Sequence, residues 1–227
     1  MDVRRRVAEY IRRHELIEPG GEVTCLASGG ADSTCLWHVL RELGYRVSAL
    51  HVNHGLRGAE SEEDARFCRE LLGAEVVEAS GRTEEELRDI RYSFATDRLR
   101  ATGHTASDQV ETVLYRLVSS GRPGGIRPKR EDGVVRPLLE LWREETDAYC
   151  RAQGLAYRRD SSNADTKRGL IRTQILPLLE QLDPRARDNL LALATDQPAR
   201  LPRKLEQTLR ERAGQNGKVS PRNGDGH

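Results

Sequence analysis

The chain is short of aromatic residues: they make up 4% of its 227 positions. Its core must therefore be built mostly from Leu, Val and Ala. It has no apolar run near the roughly 20 residues that a membrane-spanning helix needs, so no membrane association is expected. The basic start Met1-Asp2-Val3-Arg4-Arg5-Arg6 is not followed by an apolar signal core, so no secretory signal is expected either. Cysteine is sparse. Cys25, Cys35, Cys68 and Cys150 contain no Cys-x-x-Cys pair, which argues against a zinc site, an iron–sulfur site and a disulfide scaffold. A cytoplasmic protein is the default expectation.

Lysine is scarce too. Only four of the 37 basic residues are Lys, and Arg is the side chain suited to bidentate phosphate contacts. The formal net charge of +1 hides an asymmetry. Residues 1–119 carry 16 basic and 21 acidic side chains, whereas residues 120–227 carry 21 basic and 15 acidic. A basic second half points to a nucleic-acid partner. The length allows one large domain, or one domain with an appendage.

What is present centres on Val23 to Val39, VTCLASGGADSTCLWHV. A short β-branched run comes first, then the small residues Ser28, Gly29, Gly30 and Ala31, then Asp32 and Ser33. Apolar residues at helical spacing follow, Leu36, Val39, Leu40 and Leu43. Strand, glycine turn and helix in that order build a phosphate site, because the helix presents unpaired amides and partial positive charge to an anion. The stretch lacks the Lys of the Gly-x-x-x-x-Gly-Lys-Ser/Thr loop. A metal ion must then neutralise the phosphates, and Asp32 is the nearest candidate ligand.

Strand and helix patterns alternate through the first half. Strands are predicted at 23–27, 46–52, 74–79 and 99–102. Helices are predicted at 3–17, 60–72, 83 to about 97 and 107–118, the last with Val110, Val113, Leu114 and Leu117 facing inward. This alternation predicts an α/β fold with a mostly parallel, doubly wound sheet. The loops 28–33, 53–58 and 103–108 should then line one crevice at the carboxyl ends of the strands. Residues 121–130 read as a mobile, basic Gly/Pro-rich loop. Helices are predicted at 142–153, at 168–182 with a kink at Pro177, and at 184–195. The expected division is a catalytic domain over 1–182, a short helical appendage over 183–213 and a disordered polar tail over 214–227.

Two further constellations carry chemistry. His51-Val52-Asn53-His54-Gly55-Leu56-Arg57-Gly58 follows strand two and can meet a base, ribose or phosphate. Metal ligation by the two His lacks a third ligand nearby, and a loop with one core His is the plain alternative. Gly103-His104-Thr105-Ala106-Ser107-Asp108-Gln109-Val110-Glu111-Thr112 opens the next helix. Asp108 and Glu111, three apart, share one helix face and can hold a cationic substrate or a metal. Complementing the helix dipole would explain Asp108 better than Glu111.

Ser28-Gly29-Gly30-Ala31-Asp32-Ser33 resembles the SGGxDS loop of the ATP-pyrophosphatase, or PP-loop, superfamily. With HVNHGLRG, GHTASDQVET, RPLL, DSSNAD, RGLIR and ILPLL following in order, residues 20–182 are similar to the tRNA(Ile)-lysidine synthetase family. The resemblance implies ATP and Mg²⁺ as cofactors, with Ser28, Gly29, Gly30, Ala31, Asp32, Ser33, His54, Gly103 and His104 at the nucleotide and Asp32 on the metal. It implies that the wobble cytidine of tRNA(Ile) with a CAU anticodon is adenylated at C2, that pyrophosphate leaves, and that L-lysine then displaces AMP. Asp108 and Glu111 match positions that hold lysine. Arg91 and Arg168 or Arg172 match arginines near the reacting centre. A homodimer is compatible with the resemblance. Ser107 stands where Asp is frequent in that family, and Gly169 where Asn is usual. Two other expectations compete: a thiolase-like PP-loop tRNA-modifying enzyme, and a truncated inactive nucleotide- or RNA-binding module.

Overall fold

A computed structural model describes residues 2–55, 58–79, 81, 84–158 and 166–195. The chain divides into two units, Met1–Thr195 and Asp196–His227, and the second lies outside the described residues. So do Arg57, the DSSNAD motif at 160–165, and the tail expected to be disordered.

Helix α1 (Val3–Arg13) leads into β1 (Glu22–Leu26), α2 (Ala31–Glu42), β2 (Arg46–Asn53), α3 (Ala59–Leu72) and β3 (Glu75–Glu78). There follow α4 (Glu84–Ser93), β4 (Arg100–Thr102), α5 (Ala106–Ser120), β5 (Val134–Val135) and α6 (Arg143–Ala152). Then α7 (Lys167–Leu170) runs through a π-helical turn (Ile171–Ile175) into α8 (Leu176–Leu182), and α9 (Ala186–Thr195) closes the unit. Pro177 sits in the first turn of α8. Its missing amide is accommodated by the wider turn before it, where a kink was expected.

The five strands form one parallel sheet in the order β3-β2-β1-β4-β5, as the alternating pattern predicted. The chain winds outward from β1 to β3, then returns to the other side of β1 for β4. The order of strand addition reverses between β1 and β4, and the carboxyl ends of the strands at such a switch point are where parallel α/β sheets bind ligands. Residues along β1 alternate between two covered faces. Val23 and Cys25 pack with Val7, Ile11, Leu36, Val39, Leu40, Leu138 and Cys150. Leu26 packs on the other face with Leu50, Tyr92 and Val134. Each large aliphatic side chain fully buried in this way contributes roughly 1.5–3 kcal/mol. A third cluster, Val110, Leu114 and Ile171, joins α5 to the π turn, with Leu190 and Leu191 of α9 against it.

Four local expectations need correction. Helix α1 stops at Arg13, short of the predicted 17, with His14 at its C-cap and Glu15 at a positive φ of 49°. Helix α4 stops at Ser93, short of the predicted end near 97. Ala95 takes a positive φ of 51°, and the fully buried Arg100 guanidinium donates to the carbonyls of Tyr92 and Phe94 that a longer helix would use. Leu117, expected inside, is 42% exposed, because α5 outruns the elements that cover its first three turns. The 121–130 loop is tied down instead of mobile. Gln109 exchanges hydrogen bonds with Ile126 in both directions. Arg116 donates to the carbonyls of Gly124 and Gly125 at 2.8 and 2.7 Å. The Arg136 amide donates to the Pro128 carbonyl at 2.9 Å.

Candidate active site

The crevice is built from the ends of β1, β2 and β4. After β1, Gly29 has φ +81°, and a Cβ there would press on Cys68 Sγ at 3.3 Å and the Phe67 ring at 3.4 Å; glycine is the residue that tolerates both demands. Gly30 caps α2 without a side-chain hydrogen bond, which leaves the first amides of the helix for an anion. Ser33 turns inward. Its hydroxyl donates to the Gly30 carbonyl at 3.0 Å and accepts from the Ser28 amide at 3.2 Å. Ser33 therefore braces the loop, and Ser28 is the exposed hydroxyl. The sequence pattern gave no sign of a strap over this loop. The Arg158 amide donates to the Gly29 carbonyl at 2.8 Å, while its guanidinium bridges Asp64 at 2.8 Å and Glu63 at 2.9 Å.

After β2, His51 is buried with Nδ1 against the Ala27 carbonyl at 2.9 Å, so it joins two strand ends. Asn53 donates to Glu62 at 2.9 Å and accepts from the Gly55 amide at 3.0 Å. His54 Nδ1 lies 3.0 Å from the Ala79 carbonyl, which fixes the proton on Nδ1. Its Nε2 is buried and has no hydrogen-bond partner among the described residues. Burial lowers the His54 pKa, helped by the charge of Arg91 nearby, so Nε2 is a neutral acceptor. The Arg91 charge also lowers the pKa of His51, after burial.

After β4, Gly103 lies against the start of α2. A Cβ on Gly103 would stand 3.0 Å from the Asp32 carbonyl carbon and 3.0 Å from the Ser33 amide. His104 Nδ1 and Thr102 Oγ1 share a hydrogen bond at 2.8 Å. Asp108 completes a capping box: its Oδ2 accepts from the Thr105 amide and hydroxyl, both at 2.8 Å.

The residues predicted from separate motifs converge on one that was missed, Arg143. Its guanidinium reaches Asp32 Oδ2 at 3.4 Å, Asp108 Oδ1 at 3.0 Å and Glu111 Oε1 at 3.2 Å. Arg172 joins from the π turn at 2.9 Å, on the same Glu111 oxygen. Glu111 Oε2 has no hydrogen bond among the described residues. Thr146 donates its hydroxyl to Asp32 Oδ1. Arg168, half-buried on α7, makes no hydrogen bond or ion pair among the described residues. Three carboxylates and two guanidiniums thus share one cluster, with one unit of negative charge in excess. Arg143 left a trace in the sequence. A cation in the first turn of a helix opposes the dipole, so Arg143 ahead of Glu144 and Glu145 needs a tertiary reason. Its own amide donates to Ser107 at 3.2 Å, which gives that serine a role.

The carboxylates of the cluster differ. Burial pushes the Asp32 pKa up to about 6, against the Thr146 hydrogen bond and the Arg143 charge. Burial would raise Asp108 as well, but Arg143, His104 and the Thr105 hydrogen bonds outweigh it and hold that carboxyl below its usual range.

The family model of the PP-loop domain matches residues 2–179. The chain belongs to the PP-loop family. Its curated relatives include proteins named tRNA(Ile)-lysidine synthase. That of Solibacter usitatus is 45% identical over 181 residues, covering 70% of this chain and 41% of its own. That of Geobacter sulfurreducens is 36% identical and covers 92% of this chain and 51% of its own. The chain spans about half the length of the curated relatives it matches. Among solved structures, the U34-tRNA thiolase NcsA from Methanococcus maripaludis, with its [4Fe-4S] cluster, superposes with a TM-score of 0.63. It is 18% identical and covers 83% of this chain and 75% of that one. That likeness establishes the PP-loop α/β fold. No helix among the described residues is long and apolar enough to cross a membrane.

Proposed function

We propose that this PP-loop domain is the catalytic part of a tRNA(Ile)-lysidine synthase. The observation that carries the reading is the carboxylate cluster of Asp32, Asp108 and Glu111, beside a phosphate loop that has no lysine. ATP phosphates sit at the α2 N-terminus, on the amides after Gly30 and the Ser28 hydroxyl. The adenosine reaches the β2 loop, where His54 Nε2 accepts a hydrogen bond; Gly103 and His104 form the floor. Asp32 fits a phosphate-borne Mg²⁺: each of its oxygens accepts one hydrogen bond and keeps a lone pair. No group of three His, Cys, Asp or Glu suited to a metal occurs among the described residues, so phosphates and water would supply the other ligands. When bound, Mg²⁺ would neutralise phosphate charge.

The chemistry has two steps. The C2 oxygen of the wobble cytosine attacks the α-phosphorus; the new P–O bond forms as the bond to pyrophosphate breaks. The lysine side-chain amine then attacks C2, and the bond to AMP breaks. The amine must be neutral when it attacks. Asp108 and Glu111 hold it as a cation first, and the unpartnered Glu111 Oε2 is placed to take its proton. Arg91, whose charge bears on both histidines, and Arg168 are the cations that would stabilise the transferring phosphate. The exposed basic loop, with Arg122, Arg127 and Lys129, offers tRNA phosphates a surface. This reading carries a cytoplasmic location with it, where the tRNA substrate would be met.

A thiolase-like reaction is disfavoured by the cysteines. Cys25, Cys35, Cys68 and Cys150 are each fully buried and offer no thiolate to the crevice. The test is incubation with ATP, labelled lysine and tRNA(Ile) transcripts, followed by nucleoside analysis. Labelled lysidine in the CAU transcript supports the reading. A thiolated base, or no modified base with intact ATP binding, moves the chain to one of the rival functions.

A further inference from the structure

The Arg143 guanidinium is a link between the two halves of the site. One nitrogen meets Asp32 at the nucleotide loop and the other two meet Asp108 and Glu111 on α5. It is also one of two cations that take the same oxygen of Glu111, the other being Arg172. With Oε1 doubly engaged, the carboxylate cannot rotate without breaking two charge-assisted hydrogen bonds. Oε2 is thereby the oxygen left for an incoming amine. Glu111 is 2% exposed, so with the guanidinium in place little water reaches its carboxylate.

We infer that Arg143 is the positioning residue of the amine site: by spanning Asp32, Asp108 and Glu111 it fixes which carboxylate oxygen meets the nucleophile. It does not touch the reacting atoms in this role. It acts through Glu111 and Asp108. The chemical identity of the amine rests on the lysidine reading above; the positioning role rests on the geometry. Lysine at this position would keep the charge, but a point donor cannot reach three carboxylates at once.

The residue's 30% exposure opens a direct test. Arg143→Ala leaves a space with an outlet to solvent, and methylguanidinium can enter it. Calorimetry should show methylguanidinium binding to Arg143→Ala in the millimolar range and not to the parent protein. In the lysidine assay, the variant's KM for lysine should rise at least tenfold, while its KM for ATP rises by a smaller factor. Added methylguanidinium should recover a large part of the loss, and Arg143→Lys should recover less. A lysine KM within twofold of the parent overturns the inference, as does bound methylguanidinium that restores nothing. If the parent makes no lysidine, the proposed reaction fails, and the positioning role is read from calorimetric lysine binding, which Arg143→Ala should weaken at least tenfold and added methylguanidinium should recover; unchanged lysine binding overturns it. If Arg143→Ala binds no methylguanidinium while the parent makes lysidine, the role fails and the reaction stands.

Discussion

Gly103 offers the sharpest steric test of the site. Its missing Cβ would lie 3.0 Å from the Asp32 carbonyl carbon, 3.0 Å from the Ser33 amide nitrogen and 3.1 Å from the Asp32 oxygen. All three neighbours are backbone, so none can swing aside as a side-chain tip would. Ordinary packing would require the α2 N-terminus and the β4 loop to separate by about half an ångström, and overpacking of this kind costs about 1–3 kcal/mol. At the middle of that range, Gly103→Ala should lower Tm by roughly 4–8 °C for a chain of this size. The displaced segment is the one proposed to hold the ATP phosphates. Misplacement by about 1 Å in such a site costs on the order of 100-fold, so half that shift should weaken ATP binding by about tenfold. Gly30→Ala is the matched control. Among the described residues its Cβ would meet only Ser28 Oγ at 3.6 Å and the Arg158 oxygen at 4.0 Å, so it should fold normally while still crowding the phosphate site. Urea denaturation and calorimetric ATP titration of both variants decide the matter. A Gly103→Ala protein as stable as the parent, with unchanged ATP affinity, would refute the packing of β4 against the phosphate loop.

The other predictions concern charge. Asp32 binds its proton more tightly in the fold than an unfolded carboxylate does, so its contribution to stability falls as pH rises through the window up to about 6. Affinity for Mg²⁺-ATP runs the other way, dropping up to tenfold per pH unit below about 6; Asp32→Asn should abolish that dependence, and a flat wild-type profile over pH 5–7 would contradict it. Glu111→Gln should leave tRNA adenylation largely intact but raise KM for lysine, and equal loss of both steps would assign Glu111 to structure. Asp108→Asn should show the same split with little change in the urea midpoint, because the amide oxygen can still accept from Thr105. Neutralising Arg122, Arg127 and Lys129 should reduce the salt dependence of tRNA binding by at most about 0.7–0.9 of a log–log unit for each phosphate no longer neutralised. Arg130 should add less, because it already pairs with Asp132 at 2.9 Å and stacks over Tyr92; an unchanged slope in the triple variant would remove the loop from the tRNA surface.

The sheet was legible because its signals are local. The β-branched runs before Ala27 and Asn53, and the glycine turn at Gly29 and Gly30, announce strand, turn and helix within a few residues of one another. Asp108 and Glu111 were legible as a pair because three-residue spacing fixes a helix face whatever lies around it. What the sequence concealed was long-range. Arg143 lies 111 residues from Asp32 and 32 from Glu111, and its only local mark was a cation placed against the helix dipole. Arg158 closes over Gly29 from a similar distance. The end of α4 was misjudged for the same reason: the buried Arg100 side chain competes for its last carbonyls from outside the helix. Leu117 misled because periodicity marks a face but not where the cover ends.

The most direct test of the proposed chemistry follows both products at once. The protein is incubated with ATP labelled at the α-phosphate, labelled lysine and a tRNA(Ile) transcript bearing CAU, and AMP and lysidine are counted from the same reaction. One AMP is expected for each lysidine, and neither product when the wobble cytidine is replaced. Formation of ADP, or of AMP that does not depend on the wobble cytidine, would contradict the two-step chemistry.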